Sequence, residues 1–329
     1  MKVVFGGAFA ARLAGPVQAR LSIPSETIVV EDEAVILPHL ADADVLVSMG
    51  FTRQMAEAAP QLRLVQVPGA GLDRVDRTEL RPTIRLANAY GHEAGIAEYI
   101  MGAMIALTRS FGRLDASLRR GVWDSQWAIG TPSPPLWPEL AGKTLGILGF
   151  GHIGEALARR AKAFDMRICA VRRNVEAGAG GTADPNGDFS RVVGPERLDE
   201  VLSQADYLAV TLPLSEATRN MLDERRIGRI KPGAYLVNVA RAEIVDERAL
   251  YQALATRRLA GAALDVWYRY PRDAGPTLPA HLPFHELDNV IMTPHVSGWT
   301  EGMIETRADL IAQNIERTAR GQSPLNAVS

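Results

Sequence analysis

Residues 143–164 read KTLGILGFGHIGEALARRAKAF, and this stretch decides the fold of the region around it. An apolar, strand-like run leads into a glycine-rich turn and then into a helical pattern. The turn consists of Gly149, Phe150, Gly151, His152, Ile153 and Gly154. The first glycine permits the tight turn, the second lets backbone approach a pyrophosphate, and the third lets helix and strand pack closely. Because a helix N-terminus also attracts anions, the stretch predicts a dinucleotide-binding site.

The end of the next strand bears on which dinucleotide binds. An acidic residue there would bind the ribose 2′-hydroxyl of NAD. The run is instead AVRRN, with Arg172 and Arg173 and no acid. Two guanidinium groups suit a 2′-phosphate. The sequence therefore favours NADP(H), and NAD(H) stays open, since both arginines also fit an ordinary exposed surface.

Short apolar runs alternate with helical patterns, which is typical of a parallel sheet covered by helices. A first series, in residues 1–90, consists of VVFGG, ADVLVSM, LRLVQV and IRLAN. A second series consists of KTLGILGF, MRICAV, ADYLAVTL, AYLVNVA, LAGAALDVW and NVIMTP. The strands of the second series are almost continuously apolar, as strands buried on both faces are. The fold class is therefore predicted as α/β, with two doubly wound parallel-sheet domains of Rossmann type.

The order of these patterns predicts a discontinuous first domain. The amphipathic C-terminal helical pattern follows the last strand of the second series, so we expect it to return to the first series. The predicted domains are 1–92 plus 297–329, for substrate, and 93–296, for the dinucleotide. Between the two series lies a long helical segment, apolar almost all round in its first half, which predicts a buried helix.

Composition excludes several classes of protein. The chain has 329 residues and a formal net charge of −2, so no general attraction to nucleic acid is expected. No apolar run approaches the roughly 18–20 residues that span a bilayer. The only cysteine, Cys169, cannot form an internal disulfide and indicates a reducing, cytoplasmic location. The N-terminal MKVVFGG is interpreted as a buried strand rather than a signal peptide.

Residues 122–142 read VWDSQWAIGTPSPPLWPELAG and contain three tryptophans among several prolines. Proline excludes a regular helix here. We call this segment the tryptophan arm. Two interpretations stay open: it packs against a second subunit, or it packs within its own chain.

Four motifs together resemble the D-isomer-specific 2-hydroxyacid dehydrogenases, a family that includes glyoxylate and hydroxypyruvate reductases and formate dehydrogenases. The four stretches are VPGAGLDRVD, GFGHIG, VNVARAEIVDERAL and MTPHVSGWT, in that order. The resemblance covers nearly the whole chain. It implies two domains with the active site in a cleft between them, and usually a homodimer.

The resemblance also implies roles for individual residues. Arg241 would bind the carboxylate and carbonyl of the substrate, since its planar fork matches two oxygens. His295 would be the general acid that protonates the new alkoxide. Asp265 would hold the nicotinamide carboxamide. The other implied cofactor contacts are Pro213, Val239, Ala240 and Gly298. The other implied substrate contacts are Ser48, Met49, Gly50, Gly69, Ala70, Gly71 and Trp299.

Each of these assignments has an ordinary structural alternative. Arg241 would then be a surface ion-pair partner of Glu243 or Asp246. His295 would be a structural histidine at a strand end, and the glycines of VPGAG would serve a turn.

Two positions depart from the family pattern. The motif that usually continues Arg-Gly continues here as Arg241-Ala242. The glutamate that usually precedes the proline after the Asp265 strand is replaced by Tyr270. That glutamate would favour protonated histidine, whereas a neutral phenol supplies a hydrogen bond without charge.

Three consequences of this replacement stay open. Tyr270 orients His295 while another acid, such as Glu286, Glu93 or Asp273, supplies charge. In a second interpretation, His295 works near its ordinary pKa of about 6.5. In a third, no proton transfer is needed, as in formate or phosphite oxidation.

The sequence thus predicts NADPH-dependent reduction of a small 2-oxo acid, such as glyoxylate or hydroxypyruvate, to the D-2-hydroxy acid, or the reverse reaction. Arg241, His295 and Tyr270 are the predicted catalytic set, and no residues are assigned to a metal. The alternatives are formate-type hydride oxidation and a non-catalytic NADP-binding or sensing protein.

Overall fold

The computed structural model describes residues 1–130, 132–174, 190–271 and 273–328. Thirteen strands lie within these residues: β1 (Lys2–Gly6), β2 (Glu26–Val30), β3 (Val45–Ser48), β4 (Leu64–Gln66), β5 (Arg85–Ala87), β6 (Thr144–Leu148), β7 (Arg167–Val171), β8 (Ser190–Val193), β9 (Tyr207–Val210), β10 (Tyr235–Asn238), β11 (Gly261–Leu264), β12 (Val290–Met292) and β13 (Ala327–Val328). Nine α-helices lie within the same residues: α1 (Ala8–Gln18), α2 (Arg53–Ala58), α3 (Glu93–Thr108), α4 (Phe111–Arg119), α5 (His152–Lys162), α6 (Leu198–Gln204), α7 (Glu224–Ile227), α8 (Glu247–Ala255) and α9 (Glu301–Ala319).

The chain forms two compact units. Unit 1 comprises Met1–His92 and Trp299–Ser329, and unit 2 comprises Glu93–Gly298. Each unit contains one sheet with helices on both faces, so the predicted α/β class with two parallel-sheet units of Rossmann type is confirmed.

Unit 1 contains a sheet of strand order β13-β5-β4-β3-β1-β2. Strands β1 to β5 pair in parallel, and only β13 runs antiparallel, at the edge beside β5. One face is covered by α1 and α9, whose apolar residues pack on Val3, Phe5 and Val45. The other face packs on a second core that includes Phe51 and Met55.

Unit 2 contains a sheet of strand order β12-β11-β10-β9-β6-β7-β8, in which every pair is parallel. From the central β6 the chain builds outward to β8, then returns to β9 on the other side. The point between β6 and β9 is therefore the topological switch point, where open α/β sheets bind ligands. The apolar α3 packs against α5 and this sheet, as expected for a buried helix.

Several elements differ from the sequence patterns. The long helical segment divides into α3 and α4 at Ser110, whose φ of 50° interrupts the helix. Helix α4 has no buried residue. The tryptophan arm forms neither helix nor strand among its described residues, and its Ile129 and Leu136 are 99% and 98% exposed. Trp137, by contrast, lies under the Arg113 guanidinium, 5.8 Å from the ring centre.

Candidate active site

The predicted site residues of unit 2 all follow the carboxyl ends of parallel strands. Because the strands run in one direction, these segments share one edge of the sheet. The glycine turn follows β6, the two arginines β7, Pro213 β9, Arg241 β10, Asp265 β11 and His295 β12. Val239 and Ala240 are buried directly after β10, and Gly298 ends the unit.

The three glycines of the turn are glycine for three different reasons. Gly149 has φ of 105°, and a Cβ there would lie 2.9 Å from backbone atoms of Leu212. A Cβ on Gly154 would lie 2.4 Å from the Gly149 carbonyl oxygen, because α5 packs tightly on β6. A Cβ on Gly151 would meet nothing within 4 Å, so the fold itself leaves space there. That open space at a helix N-terminus fits the approach of a pyrophosphate.

Arg172 and Arg173 are both exposed directly after β7. The Arg172 guanidinium lies 3.9 Å from the Glu155 carboxylate, one turn into α5. This contact is long and half-exposed, so it holds Arg172 weakly. The two guanidinium groups are therefore accessible beside the nucleotide turn.

Arg241 follows β10 on a backbone fixed by Asn238. The Asn238 side chain donates to the Arg241 carbonyl at 3.0 Å and accepts from the Ala240 N–H at 3.0 Å. The Arg241 guanidinium donates to the Ala240 carbonyl at 2.8 Å. The following Ala242 begins a short 3₁₀ turn and is not among the residues with positive φ. Alanine in place of the usual glycine is therefore tolerated here without backbone strain.

Tyr270 and His295 contact each other directly. The Tyr270 hydroxyl lies 2.8 Å from Nδ1 of His295, and the backbone N–H of Trp267 donates to the same hydroxyl at 3.4 Å. Partial burial raises the pKa of Tyr270, and the Trp267 N–H and the positive charge of Arg241 only partly oppose this. The phenol therefore remains neutral near pH 7, and Tyr270 lies in contact with His295 and within the electrostatic influence of Arg241.

Asp265 anchors the loop that carries His295. Its buried carboxylate accepts the Thr293 hydroxyl at 2.6 Å and the N–H groups of Val296 and Ser297, both at 2.8 Å. A carboxylate has about four acceptor positions, so about one remains. His295 itself has φ of 59°, a left-handed conformation that is uncommon outside glycine. Three hydrogen bonds thus hold a strained histidine loop in place.

The same loop has two further supports that sequence reasoning missed. The Trp267 indole N–H donates to the Thr293 carbonyl at 2.8 Å, and the Tyr99 hydroxyl lies 2.7 Å from the Thr293 hydroxyl. Tyr99 is on α3, 194 positions before Thr293, so no local pattern could pair them. Glu286 is one of the acids considered above as a source of negative charge for His295. Its carboxylate lies 3.9 Å from the imidazole of the neighbouring His285.

The predicted substrate residues of unit 1 other than Trp299 lie at or shortly after the carboxyl ends of β3 and β4. Ser48 is fully buried, and its hydroxyl accepts the Gly50 N–H at 3.2 Å. A Cβ on Gly69 would lie 3.4 Å from Met49, an ordinary contact, and no positive φ demands glycine there. Neither a positive φ nor a clash with neighbouring chain atoms therefore requires glycine at position 69.

Trp299 lies in unit 1 just before α9. Its ring is half-exposed and packs against Phe9, with ring centres 5.4 Å apart. The Arg307 guanidinium covers Phe9 at 5.4 Å. The position of Trp299 is therefore fixed by aromatic and cation–π contacts.

A nucleotide turn at the switch point of a parallel sheet, with an arginine and a histidine on the same edge, defines an NAD(P)-binding oxidoreductase. Residues 101–297 match the family model for the NAD-binding domain of the D-isomer-specific 2-hydroxyacid dehydrogenases. The chain belongs to this family, as its four motifs predicted.

Named relatives support the same assignment. Glyoxylate reductase from Pyrococcus furiosus is 35% identical over 89% of this chain and 84% of its own. Hydroxypyruvate reductase from Thermotoga maritima is 33% identical over 85% of each chain. The solved NAD-dependent formate dehydrogenase from Staphylococcus aureus, in complex with NAD, is 26% identical, with a TM-score of 0.77 over 100% of this chain and 99% of that one. No helix within the described residues has the length and apolar character needed to cross a membrane.

Proposed function

We propose that the protein reduces a small 2-oxo acid of the glyoxylate or hydroxypyruvate kind to the D-2-hydroxy acid with NADPH, or catalyses the reverse oxidation. The observation that carries this proposal is the grouping of Arg241, Tyr270 and His295 at the carboxyl edge of the nucleotide-binding sheet. Glyoxylate and hydroxypyruvate reductases among the relatives support the substrate class.

In this proposal a bound nicotinamide supplies the hydride. Arg241 binds the substrate carboxylate and polarises the carbonyl oxygen, because a guanidinium fork bonds two oxygens at once. His295 donates a proton to that oxygen as the carbonyl is reduced, and accepts it in the reverse reaction. Tyr270 keeps the imidazole oriented through the contact with Nδ1, and Nε2 would act on the substrate.

The cofactor preference rests on Arg172 and Arg173, which are exposed beside the nucleotide turn and suit a 2′-phosphate. The space beside Gly151 fits the pyrophosphate. Asp265 would give its remaining acceptor position to the carboxamide. His152, Ile153, Pro213, Val239, Ala240 and Gly298 would complete the dinucleotide site. Ser48, Met49, Gly50, the loop from Gly69 to Gly71 and Trp299 would contact the substrate.

The test is a screen of 2-oxo acids against NADPH and NADH, followed by absorbance of the reduced cofactor. We expect turnover of glyoxylate or hydroxypyruvate with NADPH. Arg241→Lys keeps the charge but loses the fork, and should lower kcat/KM by at least about 100-fold, or about 2.7 kcal/mol. Cofactor binding without turnover of any acid would contradict the proposal and favour a sensing protein.

A second candidate is formate-type or phosphite-type oxidation, which needs no proton transfer. The neutral Tyr270 beside His295 is the observation that favours it. The same screen, run with formate and phosphite in the oxidative direction, distinguishes the two functions. Turnover of formate or phosphite, with no 2-oxo acid reduced, would select this alternative.

We further propose a homodimer in which the tryptophan arm packs on a second copy of the chain. Trp123 and Trp127 are 59% and 75% exposed, and such apolar surface on a monomer usually marks an interface. Ile129→Lys should shift the molar mass in light scattering from dimer to monomer. Leu278→Lys, at an exposed apolar residue outside the arm, is the control and should leave the dimer intact. The lone buried Cys169 supports a reducing, cytoplasmic location.

A further inference from the structure

The loop from Gly69 to Gly71 in unit 1 is held from one side. The Ala89 backbone N–H donates to the Gly69 carbonyl at 3.1 Å. The Asn88 side-chain amide donates to the Ala70 carbonyl at 3.0 Å. Both donors directly follow β5, the strand beside β4. Two consecutive carbonyls of the loop are therefore turned toward the end of β5.

The direction of these carbonyls determines the direction of two N–H groups. In a planar trans peptide the C=O and N–H point to opposite sides. The peptide whose oxygen bonds Ala89 carries the N–H of Ala70, and the one whose oxygen bonds Asn88 carries the N–H of Gly71. Both N–H groups therefore point away from β5. Ala70 and Gly71 are partly exposed, so their N–H groups can reach a ligand.

Asn88 suits this task because its side chain is fixed. The residue is 6% exposed, and its amide nitrogen also lies 3.4 Å from the Tyr90 hydroxyl. An amide that is buried and hydrogen-bonded in this way has little freedom to turn. Two consecutive N–H groups that point to the same side of a loop can bind one anion together.

We propose that Asn88 is a positioning residue that aims the Gly71 N–H at the substrate carboxylate. This inference rests on the proposed reduction of a 2-oxo acid. Asn88 does not touch the substrate; it acts through the Ala70–Gly71 peptide. Without the amide donor, that peptide is free to rotate, and one charge-assisted hydrogen bond to the carboxylate is lost.

The experiment measures steady-state kinetics with glyoxylate in Asn88→Ala and Asn88→Asp. Asn88→Asp keeps the shape and replaces the donor with an oxygen that repels the Ala70 carbonyl. In both variants KM for glyoxylate, and the inhibition constant of oxamate, should rise at least about tenfold, equivalent to about 1.4 kcal/mol. The value of kcat should change less than about threefold, and NADPH affinity, measured by its fluorescence, should stay constant.

Asn289→Ala is the matched control. Asn289 is also buried, and its amide donates to the carbonyls of Leu254 and Ala260, all within unit 2. This variant should lose stability without a change in KM. An equal rise in KM in the control would overturn the proposal, because general destabilisation would then explain it. Unchanged KM and oxamate inhibition in folded Asn88 variants would overturn it directly.

Two further outcomes are decisive. If neither Asn88 variant folds, Asn88 serves folding and the proposal is wrong. If the wild-type protein reduces no 2-oxo acid, the proposed function fails. The role of Asn88 is then tested separately, by measuring oxamate binding to the protein saturated with NADP⁺ by calorimetry. Oxamate binding that weakens at least about tenfold in Asn88→Ala supports the role of Asn88, and absent or unchanged binding refutes it.

Discussion

Replacing Tyr270 by glutamate should extend reduction to higher pH. The Tyr270 hydroxyl lies 2.8 Å from Nδ1 of His295, so a carboxylate on this side chain would lie within a few ångströms of the imidazole. At roughly 4 Å, opposite unit charges attract by about 1 kcal/mol in water and about 4 kcal/mol at an effective dielectric of 20. His295 is exposed, so the lower part of this range applies. About 1–2 kcal/mol corresponds to about one pH unit.

The sign of this change follows from the two protonation states. A carboxylate favours the imidazolium, which is the proton donor in reduction, so the alkaline limit of kcat/KM should move up by about one pH unit. The reverse oxidation needs the neutral imidazole, so its acid limit should move up as well.

The assay is the pH dependence of kcat/KM in both directions, from about pH 5 to pH 9. Tyr270→Gln is the matched control, because glutamine has the size of glutamate without its charge. Its profile should keep the wild-type limits, although its absolute rate should fall. Identical limits for Tyr270→Glu and Tyr270→Gln would refute the assignment of Tyr270 as the partner of the catalytic imidazole.

Three other predictions test the rest of the site. Gly151→Ala meets no chain atom, so we expect an unchanged melting temperature but at least about tenfold weaker NADPH binding in a fluorescence titration; equal affinity would contradict the pyrophosphate position. The double variant Arg172→Ala and Arg173→Ala should raise KM for NADPH at least about tenfold and leave KM for NADH almost unchanged, whereas parallel changes would argue against recognition of the 2′-phosphate. Asp265→Asn weakens bonds to two N–H groups of the His295 loop. The free energy of unfolding in a urea titration should therefore fall by about 1–3 kcal/mol, and kcat should fall as well. Unchanged stability would exclude the anchoring role of Asp265.

The sequence predicted the fold well because its signals are local. Continuous apolar runs indicated buried parallel strands, and the Gly149 turn marked the first strand of the second sheet. Three strands were not predicted: β2, β8 and β13. Strand β2 is only partly buried, β13 has two residues, and the pairing of β8 with β7 depends on a partner more than twenty residues away.

The sequence motifs marked Arg241, His295 and Tyr270, and their catalytic roles stay predictions. Contact between Tyr270 and His295 was one of the interpretations that the sequence left open, and the structure contains it. Most other contacts around these residues were not predicted. The use of the Asp265 carboxylate could not be anticipated, because its partners lie 28 to 32 positions further along the chain. Asn88 was missed for the same reason, since the carbonyl it bonds is 18 positions earlier. Such bonds depend on tertiary packing, which short patterns do not contain.

The left-handed backbone of His295 affects how its chemistry can be isolated. At φ of 59° most side chains destabilise the loop by roughly 1 kcal/mol, whereas asparagine and glycine tolerate this conformation. An alanine or glutamine variant would therefore combine loss of the proton donor with a distorted main chain. Asparagine removes the imidazole and preserves the left-handed geometry. Loss of activity in His295→Asn would therefore report on the missing imidazole rather than on a distorted main chain.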